Sequence, residues 1–194
     1  MAQVSAAATA DSDIQQALTS ANDPDKLFLV CAAIDNNAEM QLGQLAQTKA
    51  TDPQVKQIAQ RMMQDHQQAQ RDLQEAAQQA GVQLPRSVTA TKQQEMRVLQ
   101  SLSGKDFDQQ YIAKMQAGHA KAVNEYQATA QLAKNDQVKA YASKTLPTLQ
   151  QHYQQVQQTA TALGLPNAAE AQPAGARMGG SDIGDKSRNT GANR

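Results

Sequence analysis

Four long stretches of this chain repeat their apolar residues at the three- and four-residue spacing of a helix, and each is bracketed by helix start and stop signals. An amphipathic helix of such length must bury its stripe against other helices, so the pattern itself demands a bundle. Asp23-Pro24-Asp25 opens the first, with an N-cap acid, a proline at the first position and an acid in the first turn. This helix runs to about Ala50, with Phe28, Cys31, Ile34, Ala38, Leu42 and Leu45 on one side. Thr51-Asp52-Pro53 ends it and caps a second helix to about Ala80, with Val55, Ala59, Met62, His66, Leu73 and Ala77 inward and Gly81 at the C′ position.

The period breaks from Val82 to Gly104, where Pro85 opens a connection holding a shorter helical piece, Gln93 to Leu102. After Ser103-Gly104-Lys105-Asp106 a third long helix runs to about Lys134, with Asp108, Ile112, Met115, His119, Tyr126 and Ala130 on one stripe. Asn135-Asp136 turns into the fourth, which reaches about Leu163 with Val138, Tyr141, Thr145, Leu149, His152, Val156 and Leu163 inward. Pro147 is expected to kink it one turn before His152. Asp52-Pro-Gln-Val-Lys-Gln-Ile-Ala59 resembles Asn135-Asp-Gln-Val-Lys-Ala-Tyr-Ala142, each entering the second helix of a hairpin. Two similar hairpins joined by a long connection describe an all-α, ferritin-like antiparallel four-helix bundle, with a long crossover containing a short helix between helices 2 and 3. We therefore expect three parts: residues 1–22, flexible with a helical turn or two around Ile14 to Leu18; a bundle domain, 23–164; and a disordered tail, 165–194, rich in Gly, Ala, Ser, Asn and charge.

Composition agrees with helices: Ala and Gln abound, aromatics are 3% and Trp is absent. The 18 basic and 18 acidic residues balance, so no net field draws the chain to nucleic acid or an anionic membrane. No stretch approaches the roughly 20 apolar residues of a membrane span, so membrane insertion is not expected. The lone Cys31 excludes an intramolecular disulfide and, in its apolar run, reads as a buried structural thiol. No nucleotide-binding loop and no CxxC occurs. Met1 to Ala10 lacks the charged start and apolar stretch of a secretion signal, which fits either a cytoplasmic protein or a mature exported chain.

Chemistry converges on three residues. The chain has three histidines, His66, His119 and His152, and each falls on the apolar stripe of a different long helix. Glu39 sits at the border of the remaining stripe. At 1.5 Å per residue, Glu39 and His66 lie about 18 and 22 Å from the first hairpin turn, and His119 and His152 about 24 Å from the second. All four therefore reach one level of a bundle about 40 Å long, which is how bundles build metal sites. Asp65 points some 100° away from His66 and reads as a solvated acid or a partner behind a ligand. Met62, Met63 and Met115 near this level read as core filling, although His with Met suits Cu(I).

Several motifs resemble the bacterial domain-of-unknown-function family 4142, whose members are often labelled outer-membrane or periplasmic proteins. They are Phe28 with Ala32-Ala33, Glu39-Met-Gln-Leu-Gly43, Val55-Lys-Gln-Ile-Ala-Gln-Arg-Met-Met-Gln-Asp-His66, Gly81-Val-Gln-Leu-Pro85, Phe107-Asp-Gln-Gln-Tyr111, His119 and Leu146-Pro-Thr-Leu-Gln-Gln-His152. The resemblance spans about Asp25 to Leu163 and implies a ferritin-like fold and a periplasmic or otherwise exported protein whose signal is not in this chain. A di-iron centre is disfavoured, because di-iron bundles use Glu-x-x-His and the positions three before the histidines are Met63, Gln116 and Leu149. A single zinc or copper ion held by His66, His119, His152 and Glu39 fits better, in a non-enzymatic protein of stress or metal homeostasis. Two alternatives stand beside it. One is a structural or interaction protein with a metal-free buried histidine network and its function in the Gln-rich surface or the tail; on any of these readings the partner is a second copy or another envelope protein. The other is a redox enzyme using bound metal with Tyr111 or Tyr126.

Overall fold

The computed structural model describes residues 2–166, with side chains from residue 11 onward. Six helices follow one another: α1 (Ala2–Ser20), α2 (Pro24–Lys49), α3 (Pro53–Ala80), α4 (Ala90–Ser101), α5 (Gly104–Leu132) and α6 (Asp136–Ala162). No strand occurs among the described residues. The four long helices lie where their start and stop signals place them. Asp23 caps α2 by accepting from the Lys26 amide, Asp52 caps α3 by accepting from Gln54 and Val55, and Asn135 caps α6 by accepting from Gln137 and Val138. Gly81 ends α3 in the left-handed region at φ 68°, and Val82 N–H donates back to Ala77 O at 2.8 Å. α6 continues through Pro147 as a single helix. The expected tail from residue 167 lies outside the described residues.

Long-range hydrogen bonds fix the connectivity. Asp108, near the start of α5, is buried and accepts from Thr51 N–H, Thr51 Oγ–H and Asp52 N–H, all in the α2–α3 turn. At the opposite end Asp25, opening α2, accepts from the amides of Lys134 and Asn135 in the α5–α6 turn. Thus α3 and α5 both start at one end, and the connection 81–103 travels back along the bundle, with Lys49 donating to Leu102 O where it arrives. The expected long crossover is present, and every adjacent pair around the ring α2, α3, α6, α5 is antiparallel. α4 packs on α2 and α5, and Lys114 pairs with Glu95.

The N-terminal expectation needs revision, since α1 is a helix of 19 residues and not one or two turns. Ile14 and Ala17 are buried in the core, and Asp13 accepts from the amides of Arg86 and Ser87. The stripe of α2 is also corrected. Leu29, Val30, Ala32, Ala33, Ile34, Ala38, Leu42 and Ala46 are buried, Phe28 and Leu45 are half-buried, and Cys31 is exposed. Leu27 to Cys31 are five consecutive apolar residues, so apolarity alone did not fix the rotation of this helix.

The core is divided. One cluster joins Leu29 to Ile34, Leu73 to Ala77, and Val138 to Leu149; the other joins Leu42 to Ala50, Val55 to Met62, Phe107 to Met115, and Val156 with Ala160. Along the helices, the interval between the two holds buried polar residues: Asn36, His66, Gln116, His119 and His152.

Candidate metal centre

Each histidine is delivered by a helix whose neighbouring inward residues are firmly packed. Met62, Ala59 and Leu73 phase His66; Met115 and Ile112 phase His119; Leu149 and Val156 phase His152. The three imidazoles are 5%, 2% and 1% exposed. Their ring centroids form a nearly equilateral triangle, 5.8 Å from His66 to His119, 5.6 Å from His66 to His152 and 5.3 Å from His119 to His152. A potential ligand nitrogen of each ring lies within 4.8 Å of those of the other two.

The partners behind the rings determine which nitrogens carry protons. His66 Nδ1 is 2.9 Å from Asn36 Oδ1. Asn36 Nδ2 donates to Gln70 Oε1 and Tyr141 OH, so the amide oxygen is the atom left for His66, and Nδ1–H donates to it. His119 Nδ1–H donates to the Met115 carbonyl at 3.0 Å. His152 Nε2–H donates to Asp65 Oδ2 at 2.8 Å, and Arg61 Nε stands 3.5 Å from the same oxygen. Asp65 thus stands behind a buried imidazole, though that histidine is on α6 and not its own neighbour. The other nitrogens, His66 Nε2, His119 Nε2 and His152 Nδ1, are buried and have no hydrogen-bond partner. Each is the lone-pair nitrogen of its tautomer.

Electrostatics favours the neutral form of His66 and of His152. Burial pushes the His66 imidazole well below its ordinary pKa, and the nearby His119 and His152 push the same way. His152 is lowered to about 4 by burial, against the opposing pull of its Asp65 hydrogen bond. Neutral imidazole is the form that binds metal. An equilateral triangle of nitrogens 4.8 Å apart has its centre about 2.8 Å from each corner, against metal–nitrogen bonds of ~2.0–2.1 Å, so modest inward motion of the rings meets an ion.

Glu39 lies beside this triangle and outside the close group. Its side chain is half-buried, yet Oε2 is shut from solvent and unpartnered. Burial raises its pKa, opposed by His119 and Lys92. It lines a cavity of about 90 Å³ together with His66 and His119. Tyr111 is buried with its hydroxyl unpartnered, whereas the Tyr126 and Tyr141 hydroxyls are 3.2 Å apart. Met62 and Met115 fill the apolar cluster nearer the α2–α3 turn. The Cys31 thiol is raised by partial burial and next by Asp35, so an exposed, unactivated thiol replaces the buried one expected. Sequence reasoning missed Asn36 and the Met115 carbonyl. A buried-phase Asn within the apolar first half of α2 was the available signal for the former; a backbone carbonyl leaves none.

Residues 7–159 match a domain of unknown function, DUF4142. The chain belongs to that family. The match takes in Glu39 and all three histidines, so the polar layer is part of the DUF4142 domain. No curated protein matches the chain. The crystal structure of a DUF305 protein from Streptomyces coelicolor, described as secreted, is similar with a TM-score of 0.62 at 15% identity, over 76% of this chain and 98% of that one. At that identity the likeness shows a shared helical fold.

Proposed function

We propose that this DUF4142 protein is an exported helical bundle that binds one zinc or copper ion through His66, His119 and His152, in service of metal homeostasis or stress defence. The observation that carries the reading is the division of labour on the rings: each has one nitrogen tied to an oxygen behind it and one buried nitrogen with no partner, and ligand nitrogens of the three rings lie within 4.8 Å of one another. Metal-binding histidines are held this way, because the bond behind the ring fixes tautomer and orientation. A histidine network serving packing alone satisfies its buried nitrogens within itself, since an orphaned one costs about 1–3 kcal/mol. Imidazole suits zinc and copper alike, and Glu39, which lines the same cavity as His66 and His119, is the carboxylate available for a fourth position. Export is supported by the secreted DUF305 neighbour, and no described helix is long and apolar enough to cross a membrane.

Metal analysis of untagged chain dialysed against zinc or copper tests the reading. It predicts one ion per chain and a raised melting temperature. No bound ion and an unmoved transition with both metals would show that the histidines form a metal-free network.

A further inference from the structure

Two mid-helix glycines, one on α2 and one on α5, differ in a way that bears on access to the histidine centre. A Cβ at Gly43 would lie 3.1 Å from both Ala59 O and Met63 Cβ, so close packing of α2 on α3 explains that glycine. A Cβ at Gly118 would meet only Glu39 Oε1, at 3.8 Å, an ordinary contact. Packing therefore does not require Gly118, although glycine inside a helix is unfavourable relative to alanine. Its missing side chain instead leaves a gap between α2 and α5, and the gap belongs to the cavity lined by His66 and His119. Both rings are at least nine-tenths buried and each has Nε2 unpartnered. The cavity's about 90 Å³ accommodates a few water-sized groups. Its outer rim is held by the 2.6 Å Lys92–Asp35 ion pair, which ties the crossover helix α4 to α2.

We infer that the histidine centre is open on this side: the cavity behind Gly118 holds an exchangeable position where a small Lewis base, water or a one- to three-atom anion, reaches an ion bound by the three imidazoles. The inference rests on the metal-binding reading above and sharpens it. A closed site with Glu39 as fixed fourth ligand stores an ion, whereas an open one presents it to a small molecule. Glu39, whose Oε2 is unpartnered, then borders this position and accepts a hydrogen bond when the bound molecule is water.

The test uses full-length chain loaded with cobalt(II), whose visible absorption reports its ligands, titrated with sodium azide. The open site predicts a saturable change in the cobalt spectrum for the wild type and for Gly118→Ala. In Gly118→Leu, whose side chain fills the gap, azide affinity falls by about tenfold or more while cobalt still binds. Gly118→Val carries the same expectation should the leucine disturb folding. A cobalt spectrum indifferent to azide overturns the inference and leaves metal binding intact, with Glu39 closing the site. Azide binding undiminished in both bulky variants also overturns it, because access then lies elsewhere. A wild-type chain that takes up no cobalt overturns the metal-binding reading, and this one with it.

Discussion

Toward either end of the bundle, the interior is filled by side chains such as Leu29, Leu73, Val138, Val55, Phe107 and Val156 that need only one another. Between them lies a layer in which Asn36, His66, Gln116, His119 and His152 bring polar atoms into the same low-dielectric interior. The two apolar clusters follow the ordinary logic of burial, where close packing is the whole stabilising contribution. The layer follows a different one. Its outer hydrogen bonds are made, to Asn36, to Met115 O and to Asp65, while its inner nitrogens are left bare. On the proposed reading, the inner side of the rings is the side that receives an ion. Removing a group from a cluster and removing one from the layer should therefore have opposite consequences.

The largest stability effect belongs to the clusters. Leu73→Ala, at a fully buried position, should lower unfolding free energy by about 2–5 kcal/mol in denaturant melts. Its affinity for zinc or copper should stay close to that of the wild type. A collapse of affinity would mean that the layer has no independence from its surroundings. His119→Leu should do the reverse. Zinc or copper affinity should fall by more than the ~10–100-fold typical of changes behind a ligand. Metal-free stability should hold or rise, because a buried orphan nitrogen is replaced by an apolar group of similar size. A variant that binds metal normally, or is much less stable without it, breaks the contrast.

Acid should act on the layer selectively. His66 and His152 have folded pKa values below the ordinary 6.5, so the unfolded chain takes up protons first as pH falls. Stability fully present above pH 6.5 is lost toward pH 4, by about 3 kcal/mol from His152 at 1.36 kcal/mol per unit. The difference between wild type and His152→Leu across this window isolates the share of the layer from that of the carboxylates. Equal pH slopes for the two proteins would show that His152 ionises as freely folded as unfolded. The smallest effect is expected behind the ring. Asp65→Asn should weaken metal binding by about tenfold, less than loss of a ligand, with thermal stability nearly unchanged since Asp65 is partly exposed. An Asp65→Asn loss as large as that of His119→Leu would place the aspartate on the ion itself.

Much of this was legible in the amino-acid sequence, and the exceptions have physical causes. α3 alternates apolar and polar faces cleanly, so the inward phase of His66 could be counted from Val55 and Leu73. Proline, Asx and glycine steps marked the helix ends because each has a defined backbone role at a terminus. In α2, apolar residues surround the helix near Leu27 to Cys31, which misplaced Cys31 and left Asn36 unnoticed. α1 was underestimated because only Ile14, Ala17 and Leu18 of its described residues join the core, too few to impose a period. The Met115 carbonyl and the opening at Gly118 depend on how helices meet, and no spacing in a single helix encodes that.

Nitrogen-15 spectroscopy of the imidazole rings in metal-free protein at neutral pH reads the proton positions directly. The structure predicts Nδ1–H tautomers for His66 and His119 and the Nε2–H tautomer for His152, leaving Nε2, Nε2 and Nδ1 as three inward lone pairs. A proton found on any of those inward nitrogens would mean that the rings bond to one another across the layer, and the account of a centre prepared for a metal ion would be contradicted.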